Sequence, residues 1–242
     1  MTGASRGIGA ATAKLAAARG YAVAVNYAQN AKAAAAVVAA IEAAGGRALA
    51  IAGDVGSEAD VLRLFETAVR ELGPITALVN NAGIIGPAGR VEAVSAATLE
   101  AVMRINVTGA FLCAREAVKR MSTAKGGRGG AIVNVSSGAA TLGSPGGFVH
   151  YAASKGAIDT MTLGLAKEVA REGIRVNAVA PGMVLTDIHL SAGDPGRVER
   201  ITPTIPMARA ASAEEVAETI LFLLSDAASY VTGAILRVAG GR

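Results

Sequence analysis

Tyr151 and Lys155 stand four residues apart in the run Tyr-Ala-Ala-Ser-Lys. In a helix that spacing is about one turn, so the two side chains share a face. A free phenol ionises near pH ~10 and is a weak acid–base catalyst at neutrality. An ammonium fixed one turn away favours the phenolate. The pair therefore predicts a tyrosine of lowered pKa that exchanges a proton with a substrate oxygen. A second group opens the chain: Gly3, Gly7 and Gly9 in the pattern Gly-x-x-x-Gly-x-Gly. Glycines let the backbone turn tightly against a pyrophosphate, and the helical run that follows aims its first amides at the phosphates. A dinucleotide cradle with a proton donor reads as hydride transfer to or from a carbonyl.

These residues need a scaffold that brings the start and the middle of the chain together. Apolar runs at Tyr21–Tyr27, Ala48–Ala52, Ile75–Val79, Ala131–Val135, Ile174–Ala180 and Ala234–Val238 read as strands, with helix-length segments between them. That alternation predicts βαβ units and a parallel sheet. Ala31–Ala44 is alanine-rich, with Asn30 to cap it and Gly45-Gly46 to stop it. The fold class is α/β, a Rossmann-type doubly wound parallel sheet in one domain over residues 1–242. The stretch 185–210, with Gly193, Pro195, Pro203 and Pro206, reads as an irregular lid over a substrate cleft.

Composition narrows the function. The chain has 242 residues, 52% hydrophobic but only 3% aromatic, so its core is built from Ala, Val, Leu and Ile as buried parallel strands require. Cys113 is the one cysteine, which rules out an internal disulfide and a cysteine metal cluster and points to the cytoplasm. His150 and His189 lack companions for a metal site, although His150, beside the tyrosine, is a candidate for substrate contact. No apolar run reads as a membrane span and no export leader is visible. The net charge of +4 is scattered, without the basic and aromatic clustering of a nucleic-acid surface.

Seven motifs in order carry a family resemblance: Thr2-Gly3-x3-Gly7-x-Gly9, Asp54-Val55, Asn80-Asn-Ala-Gly83, Asn106, Ser136-Ser137, Tyr151-x3-Lys155 and Pro181-Gly182. Over essentially its whole length the sequence resembles the short-chain dehydrogenases/reductases, close to 3-oxoacyl-carrier-protein reductases and glucose 1-dehydrogenases. The resemblance implies that Tyr151 is the proton donor or acceptor and that Ser137 hydrogen-bonds the substrate oxygen. It implies that Lys155 binds the nicotinamide ribose and depresses the tyrosine pKa, and that Asn106 anchors a water leading from Lys155 to solvent. For the cofactor it implies Gly3, Ser5, Arg6, Gly7, Ile8 and Gly9 in the first turn. Asp54 would hold the adenine beside Val55, and Asn80, Ala82 and Gly83 would line the next strand's end. Pro181, Gly182, Val184 and Thr186 would position the nicotinamide. A homotetramer or dimer is implied, its helices near Ala97–Met121 and Tyr151–Glu172 pairing across one interface.

Cofactor choice rests on the end of the second family strand. An acid there would hold an adenosine 2′-hydroxyl and repel a 2′-phosphate. Tyr27 occupies that place, no acid lies between Gly20 and Ile41, and Arg6 is available to a phosphate. NADP(H) is favoured, with NAD(H) possible.

One departure is large. Family members carry a buried apolar strand before the glycine turn, where this chain has only Met1 before Thr2. The expected consequence is a first strand that is shortened or absent and a loose glycine turn. Either the natural chain starts upstream of Met1 or the cofactor end is distorted. Two functions follow. One is an NADP(H)-dependent carbonyl reductase or alcohol dehydrogenase acting on a small carbonyl or hydroxyl compound. The other is a catalytically impaired binding or structural protein on the same fold. Phe148, Met183, Leu185, His189 and Met207 predict an apolar substrate pocket.

Overall fold

The computed structural model describes residues 1–188 and 193–242. Elements alternate along the chain: α1 (Gly7–Ala18), β1 (Ala22–Tyr27), α2 (Ala31–Ala43), β2 (Arg47–Ala52), α3 (Glu58–Leu72) and β3 (Ala77–Asn80). They continue with α4 (Ala96–Met103), α5 (Gly109–Met121), β4 (Gly130–Val135), α6 (Ala139–Leu142), α7 (Val149–Val169) and β5 (Ile174–Pro181). The last are α8 (Arg197–Ile201), α9 (Ala213–Leu224) and β6 (Ile235–Val238). Local chemistry sets the helix starts. Asn30 accepts from the Ala33 amide at the start of α2, and Ser57 accepts from the Asp60 amide at the start of α3. Ser212 and Glu215 form a reciprocal capping box on α9.

All strand pairs among the described residues are parallel, and they form two sheets, β1-β2 and β3-β4-β5-β6. Alternate strand residues feed opposite faces. Val25, Val79, Val133 and Val179 pack with Ala13, Val37 and Ile220 of α1, α2 and α9. Ile51, Leu78, Ile132 and Val176 pack with Phe65, Cys113 and Val169 of α3, α5 and α7. Helices thus cover both sides of the parallel strands, as the doubly wound reading requires. Cys113 is fully buried, and burial pushes its thiol up to about 12.

The expected shortfall at the first strand is present. Between β1 and β3 lies a cavity of about 320 Å³, lined in part by Met1, Ala22, Ala24, Ala77 and Val79. Only at its upper end does the chain bridge the two sheets. Met1 O accepts from the Asn26 amide (3.1 Å), the Thr2 amide donates to Val79 O (3.1 Å), and the Ala4 amide donates to Asn26 O (2.8 Å). The glycine turn is not loose, however, which corrects the sequence reading. Gly3 N donates to Asn26 Oδ1 (3.2 Å), and Asn81 Nδ2 donates to the carbonyls of Thr2 and Gly3 (2.9 Å each). Thr2 Oγ1 accepts from the amides of Asn81 and Ala82. Asn26 and Asn81 clamp the turn from the two sheets, so it does not need a complete strand below it.

The expected helix over Ala97–Met121 is interrupted. A π turn at Arg104–Thr108 separates α4 from α5 and carries the buried Asn106. The segment Ala96–Met121 is also long and apolar enough to cross a membrane by length and composition, contrary to the reading that no such run exists. In this fold α5 packs its Cys113, Ala117 and Met121 side against the sheet, while Leu99, Met103 and Phe111 remain exposed.

Candidate active site

The carboxyl ends of the strands open into a cleft of about 1040 Å³. Such a cleft lies where an open α/β sheet reverses its strand order. Its floor is the first turn: Gly3, Ser5, Arg6, Gly7 and Ile8 line it. Gly7 has φ +54°, a left-handed conformation that glycine adopts without steric cost. Gly9 faces inward, where a Cβ would stand 2.4 Å from Gly3 O and 2.6 Å from Asn81 Nδ2. Its glycine is therefore required for seating α1 on the turn, not for facing the cleft.

Asp54, Val55, Ala82 and Gly83 line one side of the cleft. Asp54 is held in place: its Oδ1 accepts from the Gly56 amide (2.9 Å) and its Oδ2 pairs with Arg104 (2.6 Å). Asn80 corrects the sequence reading. It is buried away from the cleft, where its Nδ2 donates to Ala110 O (3.1 Å) and Asn134 Oδ1 (3.0 Å), tying β3 to α5 and β4. Its neighbour Asn81 reaches the turn instead. Pro181, Gly182, Val184 and Thr186 form the opposite side, and Thr186 Cγ2 closes to within 3.2 Å of where a Gly7 Cβ would be.

Ser137, Tyr151 and Lys155 share the cleft wall. Tyr151 and Lys155 lie one turn apart on α7, as their spacing predicted, with the ammonium 5.7 Å from the phenol ring centre. Lys155 Nζ donates to Val135 O (2.7 Å) at the end of β4. Burial pulls its ammonium down to about 8, opposed by the carboxylate of Asp159. The phenol departs from expectation. Burial pushes the Tyr151 pKa up, against a hydrogen bond from Ser137 and the charge of Arg197, which pull it down. Desolvation outweighs the attraction of nearby charge, and the opposing cation is Arg197 rather than Lys155.

Of the serine pair, Ser137 Oγ accepts from the Ala139 amide (3.1 Å), while Ser136 Oγ donates to Lys155 O (3.3 Å). Asn106 sits behind Gly83. It accepts from Ile84 N (2.8 Å) and donates to Ile84 O and Ser154 Oγ (2.9 Å each). It thus joins the π turn, the Ile84 loop and α7. His150 does not line the cleft: its Nε2 bonds Ile85 O (2.9 Å). The expected apolar lining is reduced. Phe148 and Met183 line the cleft, Leu185 and Met207 are exposed, and His189 lies outside the described residues. No group of three or more metal-ligating side chains is present among the described residues.

The glycine turn and the wall of Ser137, Tyr151 and Lys155 thus meet in one cleft. A family model described as enoyl-(acyl carrier protein) reductase matches residues 3–242. The chain is 55% identical over 242 residues to the uncharacterized oxidoreductase YgfF of Escherichia coli (strain K12), covering 100% of this chain and 98% of that one. It is 44% identical over 242 residues to the cis-4-hydroxycyclohexanecarboxylate dehydrogenase of Sinomonas cyclohexanicum, covering 100% and 94%. Among solved structures, a short chain dehydrogenase from Burkholderia cenocepacia J2315 in complex with NADP matches with a TM-score of 0.90 and 34% identity, over 99% of this chain and 95% of that one. The chain belongs to the short-chain dehydrogenase/reductase family. It is an NAD(P)-dependent oxidoreductase acting on CH–OH groups.

Proposed function

We propose that this protein is an NADP(H)-dependent carbonyl reductase or alcohol dehydrogenase for a small molecule. The observation that carries the reading is the meeting of Ser137, Tyr151 and Lys155 on the wall of a cleft floored by the clamped glycine turn. The residues fit a dinucleotide: close backbone at Gly3 and Gly7, and small residues at Ala82 and Gly83 opposite. Bound there, the nicotinamide cofactor supplies or accepts the hydride. In the reduction direction Tyr151 donates its proton to the carbonyl oxygen. Ser137 donates a hydrogen bond to the same oxygen and shares its developing charge. Lys155 orients the nicotinamide ribose, and Asn106 anchors a water behind it.

NADP(H) is the preferred form in this reading. The cleft rim at the end of β1 is Tyr27, Ala28, Gln29 and Asn30, none of them an acid, and Arg6 is exposed at the turn. Asp54 is already committed to Arg104. Among the described residues of 185–210, Asp187, Asp194, Arg197, Arg200 and Ile201 line the cleft and serve as part of a substrate lid, while 189–192 lie outside the described residues. Exposed Leu99, Met103, Phe111 and Leu163 on α4, α5 and α7 support pairing with a second copy, and Phe222, Tyr230 and Leu236 support another contact, giving a homotetramer. The buried free thiol of Cys113 is in keeping with a cytoplasmic location.

The test is a panel of small ketones assayed with NADPH and with Tyr151→Phe. The variant keeps its NADPH affinity and loses on the order of 10²-fold or more in turnover. A Tyr151→Phe enzyme with native turnover would exclude the tyrosine as the acid. Absence of saturable NADPH binding would instead favour the impaired reading.

A further inference from the structure

We propose that the substrate of this site carries a carboxylate and that Arg197 receives it. The inference rests on the reading of the cleft as a reductase site and deepens it. Arg197 opens α8, in the segment that follows β5, and lines the cleft. Its guanidinium carbon lies 4.3 Å from the centre of the Phe148 ring. Phe148 is itself buried against Ile85 and Tyr151. The arginine is therefore held over the apolar floor beside the reacting phenol, close enough for its charge to act on Tyr151.

Arg197 makes no ion pair among the described residues, and its Nε is buried without a hydrogen-bond partner. Asp194 lies within reach of its charge but is paired with Arg200. Arg200 and Arg242 press like charge on Arg197. Segments after β5 bring Arg197, Arg200, Arg237 and Arg242 to the cleft, against Asp187 and Asp194. Arg237 is tied to Thr141 Oγ1 (2.9 Å), whereas the charge of Arg197 acts on the reacting phenol with no ion-pair partner among the described residues.

A guanidinium stacked on an aromatic face keeps its edge available for planar, bidentate recognition of a carboxylate. Ile84 and Leu142, which also line the cleft, offer an apolar surface to the body of the same molecule. A keto acid or hydroxy acid meets both demands, with its oxygen at Tyr151 and its carboxylate at Arg197. A neutral ketone leaves the guanidinium unmatched.

The experiment uses keto acids from 4-oxopentanoate to 4-acetylbenzoate, each paired with its methyl ester and reduced with NADPH. The wild-type protein is expected to favour the best acid over its ester by at least tenfold in kcat/KM, and Arg197→Gln to bring that ratio down at least tenfold. The ratio is the readout because loss of Arg197 also alters the phenol and so affects both substrates. Arg197→Lys, which keeps a charge but not the fork, should retain part of the preference. Equal use of acid and ester by the wild type, or an unchanged ratio in Arg197→Gln, overturns the proposal while leaving the reductase reading intact. If neither acid nor ester is turned over, the reductase reading fails, and calorimetry of 4-acetylbenzoate binding decides the proposal separately. Binding that weakens at least tenfold in Arg197→Gln supports it, and no binding to the wild type overturns it.

Discussion

Lys155 donates to the carbonyl of Val135 at 2.7 Å, which fixes the ammonium at the end of β4 while it stays 5.7 Å from the Tyr151 ring centre. Burial pulls this ammonium down to about 8, and the carboxylate of Asp159, one turn further along α7, resists the fall. A cationic Lys155 is needed to hold the nicotinamide ribose in the proposed mechanism. Reduction measured as kcat/KM should therefore decline above pH about 8 as the lysine loses its proton. Removing the negative charge in Asp159→Asn destabilises the ammonium, so this limb moves to lower pH. A pH–rate profile checks both statements; a limb that stays in place in Asp159→Asn would separate Asp159 from the lysine.

Gly9 tests the cradle. An alanine Cβ there would lie 2.4 Å from Gly3 O and 2.9 Å from Ala4 Cα. These are backbone atoms of the turn and cannot rotate aside. Gly9→Ala is expected to displace α1 from the turn, weaken NADPH binding at least ~10-fold and cost roughly 1–3 kcal/mol of stability. Fluorescence titration and a denaturant melt read the two effects. Native affinity in this variant would show that seating of α1 is not what shapes the cradle.

Cofactor choice is tested at Tyr27, the last residue of β1 and part of the cleft rim. Tyr27→Asp places a carboxylate where a 2′-phosphate would sit, and that carboxylate accepts a hydrogen bond from a 2′-hydroxyl instead. The ratio of kcat/KM for NADPH over NADH should fall at least ~10-fold, because like charges are opposed there and the hydroxyl gains a partner. An unchanged ratio would mean that the 2′ position lies elsewhere, with Arg6 no longer an argument for NADP.

The alternation of apolar runs and helix-length segments revealed the parallel strands because buried parallel strands read as continuous Val, Ile and Ala. Tyr151 and Lys155 were legible for a similar reason: a spacing of four has one meaning on a helix. The direction of the tyrosine pKa was not legible, since it depends on how deeply the phenol is buried, and spacing carries no burial. Asn26 and Asn81 were present in segments already singled out, yet their clamp on the first turn joins residues 23 and 78 or more positions apart. Arg197 lies in a Pro- and Gly-containing stretch without periodicity, so nothing local pointed it at Phe148. The π turn that carries Asn106 likewise follows from contacts with Ile84 and Ser154, which sequence order conceals.

The interval between the two sheets gives a last prediction. The Asn26 amide turns toward Met1 and Tyr27 O toward Gly53, so by strand alternation Ala24 faces the cavity and Val25 faces β2. On the other side Val79 O accepts from Thr2 and Thr76 O from Ala131, so Ala77 faces the cavity and Leu78 faces β4. Ala24 and Ala77 therefore have no ladder partner across a cavity of about 320 Å³, while their neighbours are paired within parallel sheets. An amide outside a ladder exchanges without waiting for the sheet to open. NMR-detected hydrogen exchange should find the Ala24 and Ala77 amides exchanging on the order of 100-fold faster than those of Val25 and Leu78. Equal protection at all four would mean that the two sheets are joined along their full length, and the clamp of Asn26 and Asn81 would no longer be what holds the glycine turn in place.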